Sequence, residues 1–176
     1  MIRTVIVGGG MVGLAPARLL GPRGHEPVVL ERGRAGAFQP RAFMLGYQGF
    51  DAFEEIGVLH RLRAAGCDVG EGPDGRPIGL AVDVGEVLRA LAEGVPVAHG
   101  ESVVQLVREA GRVTGVITDG PGGRAAVPAD LVVACGGRGS PVRATAGIEA
   151  TVHPLNDAYL GHLSDRPTER LFGSAT

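Results

Sequence analysis

Val5-Ile6-Val7-Gly8-Gly9-Gly10-Met11-Val12-Gly13 decides the reading of this chain. The run Ile2 to Val7 is short, apolar and rich in β-branched residues, as a buried parallel strand requires. It leads directly into G-x-G-x-x-G at Gly8, Gly10 and Gly13. From Met11 the pattern becomes helical, with Leu14, Ala15, Leu19 and Leu20 apolar and Gly24 as the stop. Val28-Val29-Leu30 then reads as a second buried strand, closed by Glu31. This is one strand–helix–strand unit. Each glycine has its own reason: Gly8 for a tight turn, Gly10 for close backbone approach to a pyrophosphate, Gly13 for close packing of helix on strand. The helix N-terminus presents free N–H groups and the positive end of its dipole. A carboxylate at Glu31 can accept hydrogen bonds from ribose hydroxyls and disfavours a 2′-phosphate, so the nucleotide expected here is not NADP.

Further along, Phe50, Phe53 and Ile56 mark a helix face that Gly57 ends, and Leu59 and Leu62 mark another that Gly66 ends. Residues 67–79, rich in Gly, Pro and Asp, read as a loop. Val84, Val87, Leu88 and Leu91 fit a helix, preceded by Asp83 and Glu86 at capping-box spacing and closed by Gly94. Val95–Val97, Ser102–Val107, Val113–Thr118 and Ala125–Val127 read as short strands in a meander, with turns at Gly111 and at 120–123. Leu131 to Ala134 is a further buried strand. Residues 149–176 show no clear periodicity. The expected fold is α/β, with a Rossmann-like parallel sheet and a β-meander crossover.

Composition removes several function classes. The chain has 176 residues, a net charge of -2 and a mean hydropathy of +0.17, which excludes a disordered chain and fits one domain. All 17 basic residues are Arg, so neither a Schiff-base lysine nor a P-loop lysine is available. Near-neutral charge and 4% aromatic residues argue against a nucleic-acid surface. The longest apolar run, Leu131 to Cys135, falls far short of a membrane span, and only seven residues precede Gly8. No membrane span and a cytoplasmic location are therefore expected. Cys67 and Cys135 form no CxxC, and His25, His60, His99, His153 and His162 are dispersed, so no metal site is expected. Ser140 is not in G-x-S-x-G and reads as a helix cap, Glu54-Glu55 as a solvated face, and Cys135 as an inert strand-end thiol.

Four stretches carry a resemblance when taken in order. They are Val5 to Glu31, Arg41-Ala42-Phe43-Met44-Leu45, Phe53-Glu54-Glu55-Ile56-Gly57-Val58-Leu59, and residues 130–143, which hold Leu131-Val132-Val133-Ala134-Cys135-Gly136-Gly137. Together they resemble the FAD-binding part of class A flavoprotein monooxygenases, the aromatic hydroxylases related to p-hydroxybenzoate hydroxylase. The resemblance covers about residues 2–148. It implies FAD as cofactor, NAD(P)H as reductant, O2 as oxidant and a small aromatic substrate. It also implies an FAD-binding domain over 1–148, with 149–176 as the start of a truncated substrate domain or an irregular tail. Carried over, Gly8, Gly10, Met11, Val12 and Gly13 cradle the FAD pyrophosphate. Glu31 binds the adenosine ribose, Arg41 contacts FAD near the phosphates, and Val103 lies where backbone groups approach the adenine. No catalytic residue follows from the resemblance.

The chain also departs from that pattern. Gly136 stands where the family has the Asp of an Asp-Gly pair, and Val84 where it often has a polar residue facing the cofactor. Nothing in 149–176 matches the later Gly-Asp motif. Pro16 lies inside the first helix, where a proline costs about 3 kcal/mol. Pro22 lies near that helix's end, and Pro27 enters the second strand, where it is expected to remove a ladder donor. These departures are those expected of a fragment, a degenerate copy or a flawed gene model of a flavin enzyme, incomplete as an enzyme. The alternative readings are a non-catalytic nucleotide-binding remnant and an NAD-binding oxidoreductase domain.

Overall fold

The computed structural model describes residues 1–37 and 41–154. Its centre is a parallel sheet of four strands, β1 (Ile2–Val7), β2 (His25–Glu31), β6 (Val97–His99) and β10 (Leu131–Ala134), in the order β10-β1-β2-β6. Between them the chain forms α1 (Met11–Leu20), β3 (Ala42–Gly46), α2 (Phe50–Glu55), α3 (Leu59–Ala65), β4 (Cys67–Val69), β5 (Gly79–Asp83) and α4 (Val84–Ala92). A meander of β7 (Ser102–Glu109), β8 (Arg112–Gly120) and β9 (Gly123–Pro128) connects β6 to β10, and α5 (Pro141–Thr145) follows. The expected α/β fold with parallel sheet and meander crossover is present.

Strand alternation separates two apolar layers. Ile6 and Val29 join Leu14 and Ala17 of α1, Val87 and Leu91 of α4, and Leu62 of α3 on one face. Val5, Val7 and Leu30 join Val103 and Leu106 of β7, Val116 of β8 and Val142 of α5 on the other. The central strands are therefore buried on both faces, which is why they read as continuous apolar runs.

Several local features follow from single residues. Asp83 caps α4, its Oδ1 accepting from Gly85 and Glu86 N–H at 2.8 and 3.3 Å. Glu86 does not return the bond and instead pairs with Arg89 at 2.6 Å, so half of the expected capping box forms. Ser140 caps α5 through Arg143 N–H at 3.2 Å, as its sequence position predicts. Gly24 and Gly57 adopt φ of 85° and 80° where the helices stop.

Several expectations need correction. The strand β10, expected to be buried, is not: Leu131 and Ala134 are exposed and Val132 and Val133 are half-buried. Residues 67–79 are not all loop: β4 and the start of β5 lie there, and β3-β5-β4 form a separate antiparallel sheet. Val97 belongs with the parallel sheet, not the meander, pairing Val29 through β6. Pro27 removes no ladder bond. Val29 N–H donates to Pro96 O, so by alternation residue 27 faces the same side, before β6 begins. Pro22 sits in the first turn of a 3-10 segment, Gly21–Arg23, where a proline needs no N–H. Pro16 remains inside α1 as expected. Only 149–154 of the expected tail falls within the described residues; it carries no helix or strand.

Arg3 and Asp130 hold the open ends of β1 and β10 together. The guanidinium meets the carboxylate at 2.7 and 3.1 Å, and Arg3 N–H donates to the same carboxylate at 2.9 Å. These bonds lower the Asp130 pKa to about 2. A carboxyl depressed in the folded state stabilises it above its unfolded pKa of about 4, and that contribution fades as pH falls toward the folded value. Asp130→Asn should therefore lower the melting temperature at neutral pH, and the gap to the parent should close between about pH 4 and about pH 2. Melts across that range check it; a gap independent of pH contradicts the assignment.

Candidate dinucleotide-binding site

The crevice at the carboxyl ends of β1 and β10 is the topological switch point of the sheet. From β1 the chain crosses through α1 to β2 on one side, while β10 lies on the other. Open α/β sheets bind ligands at such points. Gly8 to Gly13 turns there, with Gly8 N–H donating to Leu30 O at 2.9 Å and Cys135 N–H to Val7 O at 2.8 Å.

The three motif glycines separate by what surrounds them. Gly8 has φ 113°, and a Cβ on it would collide with the Cys135 carbonyl. A Cβ on Gly13 would collide with the Gly8 carbonyl and stand 3.3 Å from Cys135 Cβ. Gly10 differs: a Cβ there meets nothing within 4 Å, so that face of the turn is open. Gly8 and Gly13 are thus fixed by the protein's own packing, whereas the space before Gly10 is free for a ligand. Gly10 is also the N-cap of α1 and has no side chain to accept from the first turn. Val12, in that turn, is 73% exposed. An N-terminus with uncapped N–H groups and a bare approach has the chemistry to take a phosphate.

Glu31 is brought to the same turn. Its Oε2 accepts from Gly9 N–H and its Oε1 from Gly33 N–H, both at 2.6 Å. The Gly9 bond was not visible in the sequence, because nothing in the spacing shows that the carboxylate reaches back 22 residues. Two of roughly four lone-pair positions remain for hydroxyl donors. Glu101 N–H donates to Glu31 O at 3.0 Å, which ties the entry to β7 to the end of β2. Val103 lies two residues on, its side chain buried with Val7 and Leu30 and its ladder to β8 shifted between Val103 and Gln105. A shifted register leaves backbone groups outside regular pairing.

Arg41 is exposed just before β3, and its carbonyl accepts from Val84 N–H at 2.9 Å. Its side chain has no hydrogen bond or ion pair among the described residues, so the cation is free for a ligand. Val84 is buried at the start of α4, so it contributes to the core, not to a crevice. A Cβ on Gly136 would stand 3.3 Å from Ser140 Oγ, a tight fit. Cys135 Sγ donates to Val12 O at 3.3 Å, and burial pushes its pKa up, so the thiol keeps its proton. Among the described residues no group of three His, Cys, Asp or Glu could hold a metal, and no helix is long and apolar enough to cross a membrane. Two cavities of about 870 and 850 Å³ are lined by other residues, the first around Arg18 and Pro27, the second around Tyr47 and Arg63. Neither is lined by a residue of the glycine turn or by Glu31.

A family model described as an FAD binding domain matches residues 1–71 and 83–164. The chain belongs to that FAD-binding family. Its cofactor is FAD, and the open face at Gly10 beside the Glu31 carboxylate suits a dinucleotide. The fold is similar to that of p-nitrophenol 4-monooxygenase PnpA from Pseudomonas putida DLL-E4, at 26% identity and a TM-score of 0.72 over 84% of this chain and 44% of that one. It is also similar to the Diels-Alderase PyrE3 of pyrroindomycin biosynthesis, at 28% identity and a TM-score of 0.71 over 84% of this chain and 35% of that one. PqsL of P. aeruginosa, solved with 2-aminobenzoylacetate, shares the fold at 22% identity and a TM-score of 0.75, over 88% of this chain and 48% of that one. The chain thus spans less than half of each of these structures. No curated protein matches it in sequence.

The contrast between glycines is measurable. Gly13→Ala should cost about 2–3 kcal/mol of folding stability through overpacking against the Gly8 carbonyl. Gly10→Ala should cost less than about 1 kcal/mol, because its Cβ meets open space. Urea unfolding of both variants reads the difference; equal losses would contradict the packing.

Proposed function

We propose that the chain is the FAD-binding portion of an FAD-dependent aromatic-ring monooxygenase, with residues 1–148 forming the cofactor domain. Gly8, Gly10, Met11, Val12 and Gly13 would form the pyrophosphate cradle: Gly10, Met11 and Val12 would offer backbone N–H groups, while Gly8 and Gly13, whose N–H groups donate to Leu30 O and Gly10 O, would shape the turn. Glu31 would accept hydrogen bonds from the adenosine ribose while Gly9 and Gly33 N–H keep its carboxylate in place. Arg41 would place its planar cation near the phosphates. Backbone groups at Val103 would approach the adenine, in the segment that Glu101 ties to Glu31. FAD when bound supplies redox chemistry, with NAD(P)H as reductant, O2 as oxidant and a small aromatic molecule as substrate in the cytoplasm.

The observation that carries this reading is the open face of Gly10 between two glycines closed by packing. Support for a monooxygenase comes from PnpA, which is a 4-monooxygenase of p-nitrophenol. PyrE3, of comparable similarity, is a Diels-Alderase, so the cofactor domain alone does not choose the reaction. A second reading, a nucleotide-binding module without hydroxylation, is favoured by Gly136. Where the family offers a carboxylate, this loop offers only hydrogen beside Ser140.

Gly10→Val separates binding from folding. Gly10 has φ -77° and ψ 177°, an extended conformation that valine adopts without strain. The variant should fold, and its side chain should occupy the pyrophosphate position, weakening ADP and FAD binding at least about 100-fold, since an anion site cannot tolerate a filled cradle. Calorimetric titration of both ligands tests it. Unchanged affinity in the folded variant would remove the assignment.

A further inference from the structure

Pro16 is the sixth residue of α1 and has no N–H to offer the carbonyl one turn back, that of Val12. A proline in a helix interior removes that backbone bond, and α1 nevertheless runs unbroken from Met11 to Leu20. The Val12 carbonyl instead accepts from Cys135 Sγ at 3.3 Å. Cys135 reaches it from the end of β10, 123 residues away in sequence. Its backbone is fixed there by the bond from its N–H to Val7 O, and its carbonyl and Cβ lie against the Cβ positions of Gly8 and Gly13. One residue therefore touches the first and last motif glycines and satisfies the carbonyl between them.

We infer that Cys135 is a positioning residue for the dinucleotide turn: its thiol replaces the N–H that Pro16 lacks and holds the first turn of α1 in the register that presents its amides to the pyrophosphate. The inference rests on the assignment of the pyrophosphate to that turn. Pro16 and Cys135 then form a matched pair. The proline is tolerated because the thiol is present, and the thiol matters because the proline is present. With alanine at 16, the restored N–H would take the Val12 carbonyl and make the thiol dispensable.

A double-mutant cycle reads this pairing. The parent, Cys135→Ala, Pro16→Ala and the double variant are compared by ADP titration and by the thermal midpoint of the ligand-free protein. In the parent, Cys135→Ala should weaken ADP binding about fivefold and lower the midpoint, the size expected for one hydrogen bond. In the Pro16→Ala background the same change should alter ADP affinity by less than about twofold, with a correspondingly small midpoint shift. Cys135→Ser keeps a donor and should retain affinity within about twofold of the parent, even should the alanine variant fail to fold. Equal losses in both backgrounds, or a serine variant as weak as the alanine variant, overturn the inference. If the parent binds no ADP, the site assignment fails; coupling between the two positions in the ligand-free midpoints would still register the thiol–proline pairing, and its absence would refute it.

Discussion

The Gly13 Cα lies so near the Gly8 carbonyl that no side chain fits between them, and this one contact fixes where α1 leaves the sheet. Gly8, at φ 113°, turns the chain out of β1 against the Cys135 carbonyl, so the first helix starts directly above the crevice between β1 and β10. Everything at the site depends on that start. The amides of Met11 to Gly13 point where they do because the helix cannot back away. Glu31 can reach Gly9 N–H because Gly9 is held beside the end of β2, its own Cβ position filled by the Glu31 side chain at 2.8 Å. The meander then anchors to β2 through Glu101, bringing Val103 to the same region.

The parts of this arrangement that the sequence made legible are those with local causes. β1, α1 and β2 were readable because strands buried on both faces show unbroken apolar runs, and because glycine spacing reports backbone geometry directly; β10 was readable from its apolar run alone, although its residues are exposed or half-buried. Helix ends at Gly24, Gly57 and Gly94 were readable because a positive φ is chemically specific to glycine. The antiparallel sheet of β3, β4 and β5 was not. β4 has three residues, with Cys67 and Asp68 exposed and only Val69 buried, too short for alternation to show. It exists because β5 runs alongside it and α3 packs over it, which is tertiary information.

The site divides in the same way. That Gly10 faces open space and Gly13 does not agrees with the distinct duties their spacing implies. The second role of Glu31, bracing Gly9 and Gly33, had no local signal. Nor did the thiol of Cys135 at the Val12 carbonyl, since the partners are far apart in sequence and only the fold joins them. The proline in α1 looks like a defect when read alone; with its neighbour across the crevice it has a compensating donor. Membership of the FAD-binding family accounts for the dinucleotide cradle. PnpA and PyrE3 share this fold yet carry different chemistries, so the fold alone does not name the reaction.

The central claim is that the adenosine diphosphate half of FAD sits on the Gly8–Gly13 turn against Glu31. Backbone amide chemical shifts during an ADP titration test it residue by residue. The account predicts the largest changes at Gly9, Gly10, Met11, Val12 and Gly13, with accompanying changes at Gly33, whose amide shares the Glu31 carboxylate. Saturable changes confined to the cavity around Tyr47, Arg63 and Ile78, with the glycine turn unmoved, would contradict it.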